Sequence, residues 1–408
     1  MNPREAITLA IFVLTYVTLA FGKLPGLRLD RVGAAYAGAV ATVLVGALNG
    51  RAAIDAIDFP TLALLLGMMI VVANLRLTGA FARSGRWILS RAHSGRTLLA
   101  LTIAISGVLA AFFINDVVCL ALTPLLIETA ATAGADPVPL LLGLATASNI
   151  GSVATITGNP QNMIVAGFAH IGYLPFVIKL APAAIIGLFI DYAVIATVYR
   201  HSLKLHDGIA PAQPEYEVPA GMLIKSILVA AGTLAMFVMG FPIHLVALGA
   251  GAVLLFTRRI RPQKIYGLID WTMLLMFAGL FIVVAGAEST GLPNTLVRMI
   301  GLARLGNTVI LAIATAVLSN LVSNVPAVLL FRPLYPLLGS NPHVALIIAS
   351  ASTLAGNLTV LGSIANLIVI EQARRRKVKI TFNDYVRVGI PITILTLTVD
   401  IALLSFGL

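Results

Sequence analysis

The sequence contains few charged residues and almost no cysteine. Of 408 residues, 11% are charged and 59% are hydrophobic, whereas a soluble domain carries about a quarter charged residues. The single cysteine, Cys119, excludes a disulfide framework and any site that needs several thiolates. This composition indicates a membrane protein with little material outside the bilayer.

Signatures of catalysis and of nucleotide binding are also missing from the sequence. It has no G-x-x-x-x-G-K-[ST] pattern, so we do not expect the chain to hydrolyse ATP itself. It shows no metal-ligand cluster and no nucleophilic triad, so we expect no enzymatic activity, no cofactor and no metal. The net charge of +11 needs no nucleic-acid partner, because excess Lys and Arg in a membrane protein is expected on the cytoplasmic side.

Apolar runs of about 20 residues recur along the whole chain, which is the pattern of transmembrane helices. The first run, from Ile7 to Phe21, lacks a small-residue cleavage site and leads into further runs. We therefore interpret it as a membrane helix rather than a signal peptide. The sequence predicts an all-α protein that crosses a membrane many times.

The second half of the chain repeats the first. The matching segments are 58–79 with 270–291, 115–125 with 324–334, and 147–165 with 351–369. In the last pair, ASNIGSVATITGNPQNMIV and ASTLAGNLTVLGSIANLIV share Asn and Gly at equivalent positions. Three matches in the same order indicate a duplicated unit, which is typical of secondary transporters.

We predict that each unit has five membrane crossings and one re-entrant hairpin, so that the second unit is inverted relative to the first. Broken helices from the two units are expected to meet near the middle of the membrane. In chain order, the predicted segments are a first unit (1–199) with a hairpin at about 98–133 and a broken span at 138–168, a cytoplasmic linker (200–220), and a second unit (221–408) with a hairpin at about 307–339 and a broken span at 343–371.

The distribution of positive charge supports this topology. If both termini lie on the periplasmic side of a bacterial inner membrane, most of the 27 Lys and Arg residues fall in cytoplasmic loops, among them Arg31, Arg76, Arg83, Arg86 and Arg91. That bias is what the positive-inside rule requires. The run ARRRKVK (373–379) is then a cytoplasmic anchor.

Four polar interruptions form the candidate site. Two are hairpin tips, at Asn115-Asp116 and at Ser323-Asn324, and two break the interrupted spans near Gly158 and Gly362. Non-helical backbone at membrane depth survives only where protein buries it or water reaches it. Half-helix N-termini at such breaks offer N–H groups to an anion or polar solute, and half-helix C-termini offer carbonyls to a cation.

Twelve residues of these interruptions are candidates for binding the solute. Their amide, hydroxyl and open backbone groups either face the solute or satisfy the freed backbone. They are Asn115, Ser148, Asn149, Gly158, Asn159, Asn162, Ser323, Asn324, Thr359, Gly362, Ser363 and Asn366.

Asp116 is the candidate carrier of a coupling ion. A carboxylate at membrane depth is costly and marks an ion pathway by default. Capping of the second hairpin arm is the alternative role. For Asp191 and Asp400, in the last span of each unit, a direct role is less expected. Arg332 either attracts an anion, balances Asp116, or extends to the membrane surface.

A hairpin with Asn at its tip, followed by a T-x-x-G-x-P-x-N break, resembles the ion transporter superfamily. That group includes arsenite permeases of the ArsB type, citrate-type permeases, divalent-anion/sodium symporters and NhaD-type sodium/proton antiporters. FFINDVVCLALTP resembles the Asn-Asp hairpin of arsenite permeases, and ITGNPQNMIV resembles the break of citrate-type permeases and antiporters. The symporters usually carry Ser-Asn-Thr at both tips, which this chain lacks.

The resemblance implies a secondary active transporter, with proton-coupled efflux of arsenite or antimonite across the inner membrane as the leading hypothesis. The alternatives are a Na⁺- or H⁺-coupled transporter of a small carboxylate or inorganic anion, and a Na⁺/H⁺ antiporter; a channel is less favoured. The expected partners are a small anion or oxyacid, H⁺ or Na⁺, membrane lipid, a soluble ATPase subunit as in arsenite permeases, and a second copy of the chain in a homodimer.

Overall fold

The computed structural model describes residues 3–22, 29–203, 220–257, 260–291 and 305–406. Eight of the described helices are long and apolar enough to cross a membrane, judged by length and composition, and four shorter apolar helices accompany them. The predicted all-α, multi-spanning fold class is confirmed. Most of the predicted linker, at 204–219, lies outside the described residues.

The first half of the chain contains ten described helices. They are α1 (Pro3–Phe21), α2 (Arg31–Leu44), α3 (Gly50–Ala56), α4 (Phe59–Leu77), α5 (Ala80–Arg91), α6 (Gly95–Phe112), α7 (Asn115–Thr132), α8 (Pro137–Ser152), α9 (Pro160–Ala169) and α10 (Tyr173–Val198). The region of α5 is not the predicted cytoplasmic loop. It is an amphipathic helix that buries Phe81, Ile88 and Leu89, exposes Arg86 and Arg91, and leaves Arg83 half-buried.

The second half follows the same order of elements. Its described helices are α11 (Ala220–Val238), α12 (Ile243–Leu255), α13 (Pro262–Tyr266), α14 (Trp271–Ser289), α15 (Thr308–Val322), α16 (Asn324–Phe331), α17 (Pro342–Ala355), α18 (Ile364–Arg375) and α19 (Phe382–Ser405). The matched helices α4 and α14 begin alike, because Asp58 accepts a hydrogen bond from Thr61 N at 3.1 Å and Asp270 accepts one from Met273 N at 2.9 Å. Both aspartates are therefore N-caps.

The helices break where the polar interruptions predict. The predicted span 138–168 is α8 and α9, separated by a 3₁₀ turn at Ile156–Gly158, and the span 343–371 is α17 and α18, separated by the equivalent turn at Val360–Gly362. Pro160 starts α9, where its missing N–H is tolerated. The arms of the first hairpin, α6 and α7, are each 18 residues long, enough to cross a membrane, so its re-entrance stays a prediction.

Two equivalent close contacts join the halves of the chain. Helix α4 packs against α12, and α14 packs against α2. A Cβ added to Gly67 of α4 would lie 2.5 Å from the Ala247 carbonyl oxygen, and one added to Gly279 of α14 would lie 2.7 Å from the Ala35 carbonyl oxygen. Each glycine therefore lets its helix touch the backbone of the other half, as small residues do at membrane-helix interfaces.

The last helices of the two halves run antiparallel to each other. Helix α10 packs against α19, with Gly187 beside Thr396. Tyr199, just after α10, donates a hydrogen bond to the Asp384 carbonyl at 3.4 Å. Residue numbers thus rise along one helix as they fall along the other. Equivalent helices of inverted units would be related in this way, and inversion of the complete units stays a prediction.

The close contact at Gly67 generates a stability prediction. Replacing Gly67 by Ala should lower the free energy of unfolding by about 1–3 kcal/mol, because the new methyl group overlaps the α12 backbone. Thermal unfolding of the purified protein in detergent measures this. Gly249→Ala on α12 is the matched control, since its Cβ would meet no atom within 4 Å. Equal melting temperatures for the two variants would show that the contact is not tight.

Candidate functional site

Both hairpin tips and both helix breaks line one cavity of about 180 Å³. The first half contributes Asn115 and Asp116 from the start of α7 and Gln161 from the start of α9, and the second half contributes residues 322–326 and 363–364. Met276 and Phe277 of α14 are among the residues that supply an apolar wall. The four interruptions that the sequence singled out therefore surround a common space.

The predicted residues divide into two groups. Asn115, Asp116, Ser323, Asn324 and Ser363 line the cavity. The others pack around the helix breaks beside the cavity. All of them are buried except Thr359, which is half-buried. This second group is Ser148, Asn149, Gly158, Asn159, Asn162, Thr359, Gly362 and Asn366.

A network of buried amides connects the first hairpin tip to the break in the second half. Asn149 is at its centre: it accepts from Asn115 Nδ2 at 2.9 Å and from Ser363 Oγ at 3.0 Å. Its own Nδ2 donates to Asn357 Oδ1 at 2.8 Å and to Asn366 Oδ1 at 3.1 Å. Because these residues come from both halves, the network fixes the two broken helices relative to each other.

Asn162 and Asn366 satisfy freed backbone carbonyls in the same way in each half. Asn162 Nδ2 donates to the carbonyls of Ser152 at 3.0 Å and Thr155 at 2.8 Å. Asn366 Nδ2 donates to the equivalent carbonyls of Gly356 at 2.8 Å and Thr359 at 3.2 Å. These amides replace helical N–H donors that the break removes. The structure thus gives both residues a backbone-supporting role.

The residues after each 3₁₀ turn cap the second half-helix. Asn159 Oδ1 accepts from Asn162 N at 2.8 Å, and Ser363 Oγ accepts from Ala365 N at 3.3 Å. Gly158 and Gly362, which precede these caps, leave no room for a side chain. A Cβ on Gly158 would overlap the Ser152 carbonyl, and one on Gly362 would lie 2.8 Å from the equivalent carbonyl oxygen, that of Gly356.

Ser148 faces the first hairpin rather than the cavity. Cys119 Sγ donates to Ser148 Oγ at 3.1 Å, and both side chains are fully buried. The thiol is therefore engaged in packing between α7 and α8.

Asn324 and Gln161 connect the second hairpin tip to the first break. With the Asn324 amide oriented so that both ends are satisfied, its nitrogen donates to the Gly362 carbonyl at 3.0 Å and its oxygen accepts from Gln161 Nε2 at 3.2 Å. Gln161 also donates to Thr353 Oγ1 at 3.1 Å. It was not among the predicted binding residues, although its place in the GNPQN break was a usable signal.

Asp116 has an electrostatically distinct position. It lies in the first turn of α7, where the helix dipole favours a negative charge. It borders both the main cavity and a second cavity of about 90 Å³, and Asp270 borders the same two spaces. The alternative capping role is not observed, because Ile114 is the N-cap residue of α7. Within the described residues, the Asp116 carboxylate makes no hydrogen bond or ion pair.

Charged groups from distant parts of the sequence complete the surroundings. Arg31 lines the main cavity and Arg76 lines the second one, although both were predicted to lie in cytoplasmic loops. Arg332 does not face Asp116. Its guanidinium donates to the Ala56 carbonyl at 3.3 Å and lies 5.3 Å from the centre of the Phe281 ring.

Ser323 has a strained backbone at the second hairpin tip. Its φ of 78° and ψ of 159° belong to a region that only glycine occupies easily, and such strain is concentrated at functional sites. It immediately precedes α16 and lines the cavity. The hairpin tip is thus held in a conformation that the local sequence does not favour.

Comparison with known proteins places the chain in a family. The sequence pattern of the citrate transporter family (CitMHS) matches residues 16–336. The chain belongs to the citrate transporter family. Its members are secondary transporters, so the broken helices and the cavity belong to a membrane transporter and not to an enzyme.

Relatives of this citrate-transporter-family member are matched over nearly their full length. The silicon efflux transporter LSI3 of Oryza sativa subsp. japonica is 28% identical, with 99% of this chain and 98% of that one covered. An uncharacterized transporter of Mycobacterium tuberculosis is 30% identical over 95% of both chains. The crystal structure of the Alcanivorax borkumensis YdaH transporter matches with a TM-score of 0.60 and 18% identity, covering 99% of this chain and 98% of that one. That similarity shows a shared fold.

The strain at Ser323 predicts opposite effects on stability and binding. Ser323→Gly should raise the free energy of unfolding by about 1 kcal/mol, since glycine adopts this backbone without strain. It should also weaken solute binding, because it removes a hydroxyl from the cavity. Ser340→Gly is the control: Ser340 also has a positive φ of 50°, but it does not line the cavity, so only stability should rise. Unchanged solute affinity in Ser323→Gly would show that this hydroxyl does not bind the solute.

Proposed function

We propose that this transporter exports arsenite or antimonite and couples the export to protons. The observation that carries the proposal is the cavity lining, which presents the amides of Asn115, Gln161 and Asn324 and the hydroxyls of Ser323 and Ser363. Arsenite near neutral pH is chiefly uncharged As(OH)₃. Its hydroxyl groups can donate hydrogen bonds to, and accept them from, such a lining.

The charges around the cavity favour an uncharged solute over a multiply charged anion. Asp116 and Asp270 provide two carboxylates, and Arg31 provides one guanidinium. A tricarboxylate in this space would face more negative than positive charge, and like charges in a poorly solvated site repel strongly. A neutral oxyacid avoids this repulsion.

The names of two relatives support an oxyacid. One relative is a silicon efflux transporter, and dissolved silicon near neutral pH is chiefly an uncharged hydroxylated acid, as arsenite is. A Dictyostelium discoideum relative, 22% identical over 97% of this chain, carries the name arsB. Both names are compatible with efflux of a small oxyacid.

Uphill export of an uncharged solute requires a coupling ion, and Asp116 is the best-placed carrier. It borders both cavities and has no hydrogen-bonding partner among the described residues. Asp270, the N-cap residue of α14, is exposed, so the cavity reaches the protein surface at the N-terminal end of α14. The predicted topology places that end on the cytoplasmic side of the inner membrane, where an exporter would collect its solute.

The second candidate function is Na⁺- or H⁺-coupled transport of a small carboxylate or inorganic anion. The family takes its name from citrate, and Arg31 in the cavity wall could bind a carboxylate. Na⁺/H⁺ antiport is a further alternative, for which the acidic pair at the cavity is the supporting feature.

Transport assays in everted membrane vesicles separate these functions. We expect arsenite and antimonite to accumulate when a proton gradient is present, and accumulation to disappear when that gradient is collapsed. Citrate and succinate, each with and without a proton or sodium gradient, test the second function. Vesicles without the protein are the control. Accumulation of arsenite that persists after the proton gradient is collapsed contradicts proton coupling, and the absence of arsenite transport contradicts the solute assignment.

Replacement of Asp116 by Asn tests the proposed carrier. Asn has nearly the same shape but cannot exchange a proton, so concentrative export should fall to passive equilibration while solute binding and folding persist. Asp58→Asn is a matched control, because Asp58 caps α4 outside the cavity and Asn caps helices well. Wild-type accumulation ratios in Asp116→Asn would exclude the carrier role.

A further inference from the structure

Two aspartates outside the cavity are fully buried at equivalent places in the two halves. Asp191 of α10 and Asp400 of α19 both have 0% exposure. Each lies against a hydroxyl on the broken helix of its own half: Thr146 Oγ1 is 2.7 Å from Asp191 Oδ1, and Ser350 Oγ is 2.6 Å from Asp400 Oδ2. Thr146 and Ser350 directly precede the matched segments 147–165 and 351–369. The two pairs therefore repeat one arrangement.

Each of these hydroxyls has one hydrogen and at least two acceptors within reach: its aspartate and a backbone carbonyl. Thr146 Oγ1 is 2.8 Å from the Leu142 carbonyl, and Ser350 Oγ is 2.9 Å from the Leu346 carbonyl. A hydroxyl that donates to the carbonyl leaves an ionised carboxylate without a donor. Both contacts are satisfied together only when the carboxyl carries its own hydrogen and donates it to the hydroxyl. A protonated carboxyl is therefore the form that makes both contacts hydrogen bonds at once.

The surroundings offer little to stabilise a negative charge at these positions. The second oxygen of each carboxyl, Asp191 Oδ2 and Asp400 Oδ1, is buried without a hydrogen-bond partner in the described part of the chain. The ion pairs found there involve neither aspartate. Tyr385 of α19 is a titratable neighbour of Asp191, and it is neutral when protonated. Buried charge without a partner is strongly unfavourable.

Hydrogen bonds connect the cavity to the first of these pairs. Asn115, in the cavity wall, donates to Asn149, and Asn149 donates to Asn357. Asn357 Nδ2 then donates to the Thr146 carbonyl at 3.2 Å. A solute that displaces Asn115 therefore perturbs the residue whose hydroxyl holds Asp191.

We propose that Asp191 and Asp400 are proton-carrying sites, one behind each broken helix. This rests on the proposed proton-coupled export. When a broken helix moves and admits water, the O–H bond of the Asp191 carboxyl breaks and its proton passes to a water molecule. The carboxylate then accepts the Thr146 hydroxyl hydrogen, and the Leu142 carbonyl loses that hydrogen bond. Proton uptake reverses each step, and Ser350 with the Leu346 carbonyl plays the same part for Asp400.

Infrared difference spectroscopy tests protonation without any transport. The spectrum of wild-type protein in lipid at neutral pH should contain carbonyl-stretch bands of protonated carboxyls that shift in D₂O. Asp191→Asn and Asp400→Asn should each remove one such band, and Asp58→Asn, at a helix cap, should remove none. If neither buried-site variant removes a band, both sites are ionised and the proposal is wrong.

Proton flux measured together with arsenite flux tests the carrier role. Asp191→Asn and Asp400→Asn resemble the protonated carboxyl in shape, so folding should persist, as thermal unfolding can verify. We expect both to exchange arsenite while losing proton-driven accumulation. Thr146→Val should show the same loss, and Thr146→Ser should behave as wild type.

The outcomes distinguish this proposal from the proposed function. If wild-type protein moves arsenite without protons, the coupling and both carrier sites are refuted together. If wild-type export is proton-coupled, Asp116→Asn is uncoupled, and both Asp191→Asn and Asp400→Asn accumulate arsenite as wild type does, only the two carrier sites are refuted.

Discussion

A broken helix inside a membrane leaves backbone N–H and C=O groups that lipid cannot satisfy, and the central part of this protein is organised around that constraint. Asn162 and Asn366 each supply an amide to two freed carbonyls, and Asn159 and Ser363 cap the half-helices that follow. Once the backbone is satisfied, the remaining amide and hydroxyl groups can face a solute. The polar cavity is therefore a consequence of how the breaks are stabilised.

The helices that pack through close backbone contacts are separate from the hairpin tips and helix breaks that line the cavity. Helices α2, α4, α12 and α14 meet through glycine contacts that bring backbones together, and such contacts leave little freedom for side-chain rearrangement. The hairpin tips and breaks instead meet through hydrogen bonds around a space. Hydrogen bonds can be exchanged for bonds to a solute or to water at small net cost, so this region is where a conformational change is least expensive.

The sequence predicted the breaks well because their signals are local. Gly158, Pro160 and the surrounding amides cannot continue a helix, and the repeat showed the same interruption at Gly362. It could not tell which of those amides line the cavity, because Asn115 at the start of α7 does and Asn149 inside α8 does not, and this difference arises from tertiary packing. Arg31 and Asp270 reach the cavity from remote segments, which no local pattern reveals. Helix α5 was missed because its arginines resemble a cytoplasmic loop, whereas its buried face is only a few residues wide.

The amide network is not shared equally by the two halves. Asn149, at its centre, corresponds to Thr353 in the repeat, and Asn357 corresponds to Val153. If the halves exchange conformations during a transport cycle, the exchanged state cannot rebuild the same set of hydrogen bonds. The two access states then differ in free energy, and the empty protein rests in one of them. Two side chains that differ between the halves would then decide which access state the empty protein occupies, while the gradients of solute and coupling ion still set the direction of transport.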